Sequence, residues 1–360
     1  MSEESRPLLV TNDAELLDDV LRLAAAADVE IDVAHAATHA RHSWIGAPLV
    51  LVGGDMAEEM ARCKPSRRGG VLLFGDDPDD ADIWQQAVAL GVEHVVFLPG
   101  SEAWLVDRIA DAAEGDQADA HTVCVLGGRG GAGASTLATA LALTGTRTGR
   151  HTLLVDGDPL GGGIDLALGS EDSSGSRWSD FIDTRGRVSG TALRGALPQV
   201  EDLRVLSWMR DQTSAVPVEA MRSVLAAARR GSDLVVVDLP RSLDAAAEDA
   251  LLRATTALLL VPAEVRATVA AARVAAVASR YVTDLRAVVR APSPSGLSAE
   301  VVAESLGLPL AGEIRWESGL PVAMDRGEPP ARYARGSLAR FCLSYLGAHR
   351  GDVPGCEAAA

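Results

Sequence analysis

The sequence predicts two α/β units in tandem, each a parallel sheet covered by helices. Three observations carry that expectation. The chain has 360 residues, long for one domain and ordinary for two. Short apolar runs alternate with helical patterns along most of it, as parallel strands joined by crossover helices require. The charge also divides unevenly. Residues 1–113 hold 21 acids and 8 bases, against 29 acids and 25 bases beyond, so the two parts present different surfaces.

In the first unit, Pro7–Val10, Glu30–Ala34, Pro48–Val52, Gly70–Phe74 and His94–Leu98 read as five strands. Asp13–Ala27, Met56–Arg62, Asp79–Leu90 and Glu102–Ala113 read as helices, and Thr38–Ser43 is only weakly helical by pattern. Small polar residues at Glu114–Ala120 predict a linker. The expected division is therefore 1–113, a linker over 114–120, a second unit over 121–350 and a frayed tail over 351–360.

Strands of the second unit are expected at Thr122–Leu126, His151–Val155, Leu203–Leu206, Leu234–Val237, Ala257–Val261, Arg286–Val289 and Leu310–Ile314. Helices follow at Ser135–Thr144, Val218–Arg230, Leu243–Thr255, Ala267–Val282 and Ser298–Leu306.

Composition excludes several classes. At 48% hydrophobic and 23% charged, the chain is not wholly disordered. A net charge of −17 disfavours generic binding to a phosphate backbone, so no specific nucleic-acid partner is expected. Cys63, Cys124, Cys342 and Cys356 form no CxxC pair, which argues against a zinc site or disulfide framework and fits a reducing cytosol. The opening MSEESRPLLVTNDAE lacks the basic and apolar regions of a signal peptide. The most apolar later stretch, 254–279, is broken by Glu264, Arg266 and Arg273, so no membrane span is expected.

Some clusters have bland explanations. His35, His39 and His42 lack a local acid or cysteine ligand and read as a solvated face rather than a zinc site. Asp76–Asp82 lacks the glycine and terminal glutamate of a calcium loop and reads as helix capping. Leu338, Phe341, Cys342 and Tyr345 recur at helical spacing within Ser337–Leu346 and predict packing against the sheet. Trp178 and Trp208 suit either core filling or partner contact.

The informative segment is Val123–Thr136, where a buried strand runs into five glycines and then Ser-Thr at a helix start. Glycines there let backbone N–H groups converge into an anion nest at a helix N-terminus. Gly128 to Gly133 supply the spacing of a phosphate-binding loop, Ser135 supplies a hydroxyl for Mg²⁺, and Ala134 stands at the lysine position.

Arg129-Gly-Gly-Ala-Gly-Ala-Ser-Thr136 resembles the deviant Walker A loop of the MinD/ParA family. Leu153–Asp165 is similar to that family's second motif and switch I, and Val235–Arg241 to its Walker B and switch II. Leu260–Glu264, Gly307–Gly312 and Asp325–Pro329 fall where its closing elements lie, so the resemblance spans about 120–346. The run from Asp156 to Asp165, with Asp238-Leu-Pro-Arg241, resembles the CpaE/TadZ-like branch more narrowly.

The resemblance implies a three-layer P-loop NTPase fold binding ATP or ADP with Mg²⁺. The loop residues Gly128, Arg129, Gly130, Gly131, Ala132, Gly133, Ala134, Ser135 and Thr136 would line the nucleotide. Ser135 would ligate Mg²⁺, and Asp238 and Asp156 would hold it through water. Asp158 would sit near the attacking water, and Arg129 stands where the signature lysine reaches across a dimer. Lys64 is the only lysine, so arginine for lysine elsewhere reads leniently, although its planar fork is not a point charge. Alanine at 134 preserves nothing, so hydrolysis is expected to be weak or absent. Arg290 stands where many relatives carry an asparagine that recognises adenine.

The first unit resembles a response-regulator receiver. At the places of its acidic pair, phosphorylated aspartate, hydroxyl and lysine, this sequence has Thr11-Asn12, about Gly53, Gly75, and Pro99-Gly100. Asp13 and Asp55 lie a residue or two out of register, so docking or dimerisation is expected in place of phosphotransfer.

The resemblance implies a spatial regulator. One form is a septum-site determinant of MinD type with a weak nucleotide switch; the other is a polar scaffold for pilus or secretion machinery without turnover. A homodimer with division or pilus/secretion partners, at the pole, septum or membrane periphery, goes with either.

Overall fold

The central apolar runs fold as parallel strands buried on both faces, which explains their unbroken hydrophobicity, while strands at the sheet edges are partly exposed. The computed structural model describes residues 6–27, 29–113, 120–182, 188–209, 215–294, 296–332 and 335–348. The chain divides into two units, residues 1–117 and 118–360.

The first unit runs β1 (Leu8–Val10), α1 (Ala14–Ala26), β2 (Asp32–Ala34), α2 (Ala37–Ser43), β3 (Val50–Val52), α3 (Gly54–Arg62), β4 (Val71–Phe74), α4 (Ala81–Leu90), β5 (His94–Val96) and α5 (Glu102–Ala113). Its five strands are all parallel, in the order β2-β1-β3-β4-β5. Successive residues of each strand face opposite sides. Val10, Val52 and Leu73 pack with Trp44, Met56 and Met60, while Leu9, Leu51 and Leu72 pack with Val20, Leu105 and Ile109.

Asp13, which the pattern places inside a helix, caps α1 instead and accepts from the N–H groups of Glu15 and Leu16. The weakly patterned segment does form α2. Its inward residues Ala37 and Ala40 are small, so it lies close to the sheet with little apolar signal.

The second unit runs β6 (His121–Gly127), α6 (Ala134–Arg147), β7 (Thr152–Asp156), α7 (Ile164–Ala167), α8 (Trp178–Phe181), α9 (Gly190–Ala196), β8 (Gln199–Val200), β9 (Leu203–Leu206), α10 (Val218–Gly231), β10 (Leu234–Asp238), α11 (Ala245–Leu252), β11 (Thr256–Pro262), α12 (Val265–Ala278), β12 (Leu285–Ala291), α13 (Ala299–Leu306), β13 (Leu310–Arg315), α14 (Leu320–Met324) and α15 (Ser337–Ala348). The strand order is β13-β12-β11-β6-β10-β7-β9-β8, parallel except for the β8–β9 edge pair. Helices cover both faces, giving three layers around two apolar clusters.

Several elements differ from expectation. The edge strand β8 and the helices α7, α8, α9 and α14 were not expected; none exceeds seven residues, too few for a period to show. Helix α12 starts two residues early and stops at Ala278, four residues short, and α11 is shorter than expected at both ends. Trp178 and Trp208 are both core residues, with rings 5.9 Å apart. The α15 side chains Leu338, Phe341, Cys342 and Tyr345 are buried against Leu258, Val288 and Ile314 of the sheet. No helix of the described residues is long and apolar enough to cross a membrane.

Gly312 in β13 admits the ring of Phe341. A Cβ at that position would lie 2.9 Å from Phe341 Cε2. Gly312→Ala is therefore expected to destabilise the chain by about 1–3 kcal/mol, with Phe341→Leu recovering part of the loss. A double-mutant cycle by denaturant titration reads that coupling.

Candidate functional site: a glycine loop above two buried aspartates

β6 lies between β10 and β11 in mid-sheet and opens at its C-terminal end into the loop 128–133. The Gly128 N–H donates to the Leu260 carbonyl at 2.9 Å, tying the loop to β11. A Cβ on Gly128 would sit 2.6 Å from that of Ala271, so only glycine fits. Gly131 (φ +69°) and Gly133 (φ +102°) turn the backbone through left-handed conformations into α6. Gly130 and Gly131 face open space. The N–H groups and dipole of a helix N-terminus thus sit beside an accessible glycine cradle, which suits an anion. Ala134, the first residue of α6, brings only a methyl to it.

Below the loop, Asp156 and Asp238 end adjacent parallel strands in register with each other. Both are buried. Burial, then the Asp238 charge, pushes the Asp156 carboxyl up to about 8. Burial also pushes Asp238 up to about 7, against a hydrogen bond from Ser135. The Asp156 carboxylate accepts from the N–H groups of Asp158 at 3.2 Å and Ile164 at 3.1 Å, closing the loop between β7 and α7. The Asp156 carbonyl accepts from Trp178 Nε1 at 2.6 Å. Asp158 accepts from the Leu160 N–H at 3.0 Å.

Ser135, Asp156, Asp238 and Gly161–Gly163 line a cavity of 250 Å³. Its oxygen donors suit a hard cation such as Mg²⁺. Among the described residues no group of three His, Cys, Asp or Glu side chains forms a metal cage. An Mg²⁺ held here would need phosphate oxygens and water to complete its octahedron. The fit is that of a nucleotide–metal pair, not of a free-standing metal site.

Two guanidinium groups flank the loop. Arg129 Nη2 is paired with Glu264 Oε1 at 3.0 Å, within the same chain. Arg290 Nη1 donates to the Ala132 carbonyl at 2.8 Å, and its guanidinium lies 5.1 Å from the Trp316 ring centroid. Burial, then the charge of Arg129, holds Arg290 below its ordinary value. A second cavity, of 360 Å³, is lined by Gly133, Thr136, Arg290, Trp316, Met324 and Asp325, among others. The Thr136 hydroxyl faces the Met324 sulfur at 3.9 Å. Behind it, Gly169 (φ +62°) meets Gly327 so closely that a Cβ would lie 2.6 Å from the Gly327 carbonyl oxygen.

The structure thus gathers residues 128–136 with Asp156, Asp158 and Asp238, and sets Arg129 and Arg290 at the loop's flanks. Sequence reasoning missed Glu264 as the partner of Arg129, and Trp316, Met324 and Trp178 as neighbours of the site. In the first unit, Asp55 accepts from Thr11 Oγ1 at 2.9 Å and from the Asn12 N–H at 2.7 Å, and His35 Nδ1 lies 2.8 Å from the Thr11 carbonyl. Gly53 is the N-cap of α3. Asp55, the acid nearest in register to the receiver's phosphorylated position, is thus engaged by the end of β1.

A glycine loop on a central strand, with acids ending the neighbouring strands, is the arrangement of a P-loop protein with the MinD/ParA fold. Solved structures agree on the fold. A ParA family ATPase from Chlorobium tepidum aligns with a TM-score of 0.55 at 15% identity, over 62% of this chain and 98% of that one. MinD of Aquifex aeolicus, in a MinC:MinD complex, gives 0.55 at 21%, over 66% and 99%. MinD of Pyrococcus horikoshii with Mg-ADP gives 0.51 at 18%, over 64% and 96%. More narrowly, the family model of the Rv3660c-like, CheY-like N-terminal domain matches residues 10–120. Protein Rv3660c of Mycobacterium tuberculosis, described as uncharacterized, is 38% identical over 322 residues, covering 88% of this chain and 90% of that one. The chain belongs to that Rv3660c-like family, a receiver-like unit followed by a MinD/ParA unit in the CpaE-like manner.

Two loop glycines with unlike surroundings, one packed and one open, give a test. Gly128→Ala is expected to cost about 1–3 kcal/mol by overpacking, and Gly130→Ala under about 0.5 kcal/mol. Thermal or denaturant unfolding of the two variants checks it.

Proposed function

We propose that this chain is a spatial regulator of MinD type, determining a septum site, whose degenerate P-loop binds nucleotide weakly and acts as a switch with little turnover. The observation that carries the reading is the accessible glycine cradle at the α6 N-terminus, kept above Ser135 and Asp238 although Ala134 brings no charge. Backbone N–H groups bind phosphate without a lysine, whereas transition-state charge is poorly met. Asp158 would lie beside the attacking water and Asp156 would reach the metal through water, in a site built for holding more than for cleaving. A homodimer and division-apparatus partners belong to the same reading.

A second reading is a CpaE/TadZ-like polar scaffold for pilus or secretion machinery, without turnover. It is favoured by the Arg129–Glu264 pair and the Arg290–Ala132 bond, which hold the loop from within one chain. DNA partitioning is disfavoured by the net charge of −17. Attachment to a membrane through α15 is disfavoured too, since its apolar face is spent on the sheet.

Calorimetry with Mg-ATP and Mg-ADP tests the switch. Ala134→Lys is expected to tighten binding about tenfold or more, roughly 1.4 kcal/mol, and to raise hydrolysis by about 10²–10³. Micromolar binding to the unaltered chain supports the switch. Binding that appears only in Ala134→Lys supports the constitutive scaffold. No heat with any purine nucleotide on either chain overturns nucleotide binding altogether.

A further inference from the structure

The 360 Å³ cavity opens directly off the glycine loop, since Gly131, Ala132, Gly133 and Thr136 form one of its walls. Its volume lies within the range of small-ligand sites, about 300–1,000 Å³. Its opposite side is polar in a particular way. Arg290 contributes a guanidinium whose Nη1 is committed to the loop carbonyl of Ala132. Among the described residues Nε and Nη2 of Arg290 have no acceptor. Trp316 adds a half-exposed indole. Glu317 and Asp325 add carboxylates to the same lining, and Glu317 Oε1 accepts from the Leu338 N–H at 2.9 Å.

Resting on the nucleotide-binding reading above, we propose that Arg290, with Trp316, sets the base preference of this site to guanine over adenine. A guanidinium only donates. Guanine presents O6 and N7 as adjacent acceptors, which an arginine fork matches, whereas adenine sets an N6 amino donor beside N7 and would oppose N–H to N–H. Asparagine, with one donor and one acceptor, has the converse match to adenine. The carboxylates on the lining complete the contrast, because guanine carries N1–H and N2 amino donors and adenine carries neither. The Trp316 ring, which carries the Arg290 guanidinium 5.1 Å from its centroid, extends an aromatic surface on which a base held edge-on by Arg290 would stack, whatever the base. Arg290 is therefore a specificity-determining residue and Trp316 a platform.

Fluorescent-labelled GDP, GTP, ADP and ATP, titrated with Mg²⁺ into the full chain, read the preference directly. Guanine nucleotides are expected to bind about tenfold tighter or better. Arg290→Asn is expected to abolish or invert that ratio. Arg290→Lys, which keeps the charge without the fork, is expected to lose most of it. Trp316→Ala is expected to weaken all four ligands together, about fivefold. Unfolding midpoints of the variants establish that the loop and fold persist. Adenine nucleotides binding as tightly as guanine ones to the unaltered chain would overturn the preference and leave the nucleotide switch standing. A ratio unmoved by Arg290→Asn would overturn the role of Arg290. Failure of all four ligands, on this chain and on Ala134→Lys, would overturn the base preference and the switch together.

Discussion

Two carboxylates that end neighbouring strands inside the protein constrain everything built above them. Asp156 and Asp238 are brought side by side by the β7–β10 register, and among the described residues neither meets a basic side chain. An uncompensated buried charge is costly, so the surrounding groups are arranged as hydrogen-bond donors. Ser135 serves Asp238, and the backbone of Asp158 and Ile164 serves Asp156. The first turn of α6 and the loop after β7 therefore take their positions from one acid pair. Trp178, donating to the Asp156 carbonyl, extends the arrangement into the core.

The strands were legible because a parallel sheet buried on both faces writes itself as apolar runs, and every expected run from Leu8 to Ile314 became a strand. The glycine loop was legible for a local reason: its chemistry depends on neighbours in the chain. The pairing of Arg129 with Glu264 was not, since 135 residues separate them and the β6–β11 pairing brings them together. Nor was the engagement of Arg290 with Ala132, across 158 residues. Helices of four to seven residues, such as α7 and α8, left no periodic trace. Asp55 was visible as a displaced acid, but its bonds to Thr11 and Asn12 follow from the alignment of β1 with β3.

The two units arrange their acids and loops differently at the C-terminal ends of their strands. In the first, the acid nearest the receiver position is occupied by hydrogen bonds from β1's end, so the corner is internally satisfied. In the second, the glycine cradle still faces open space, while the cations near it have turned to Glu264 and to a loop carbonyl. There the charges are engaged within the chain, and the backbone geometry of an anion cradle stands open. That distinction separates holding a phosphate from transferring one.

The contact of Gly169 with Gly327 joins two segments that are distant in sequence, one following α7 and the other following α14. Where backbone rests on backbone there is no side chain to rotate and absorb a displacement. Slack elsewhere in the molecule is taken up by rotamers, but here a shift of one segment is passed whole to the other. The segment after α7 and the segment after α14 therefore hold each other in place, and Met324 and Asp325, just before Gly327, line both cavities. A change at that one backbone contact would therefore reshape both cavities together.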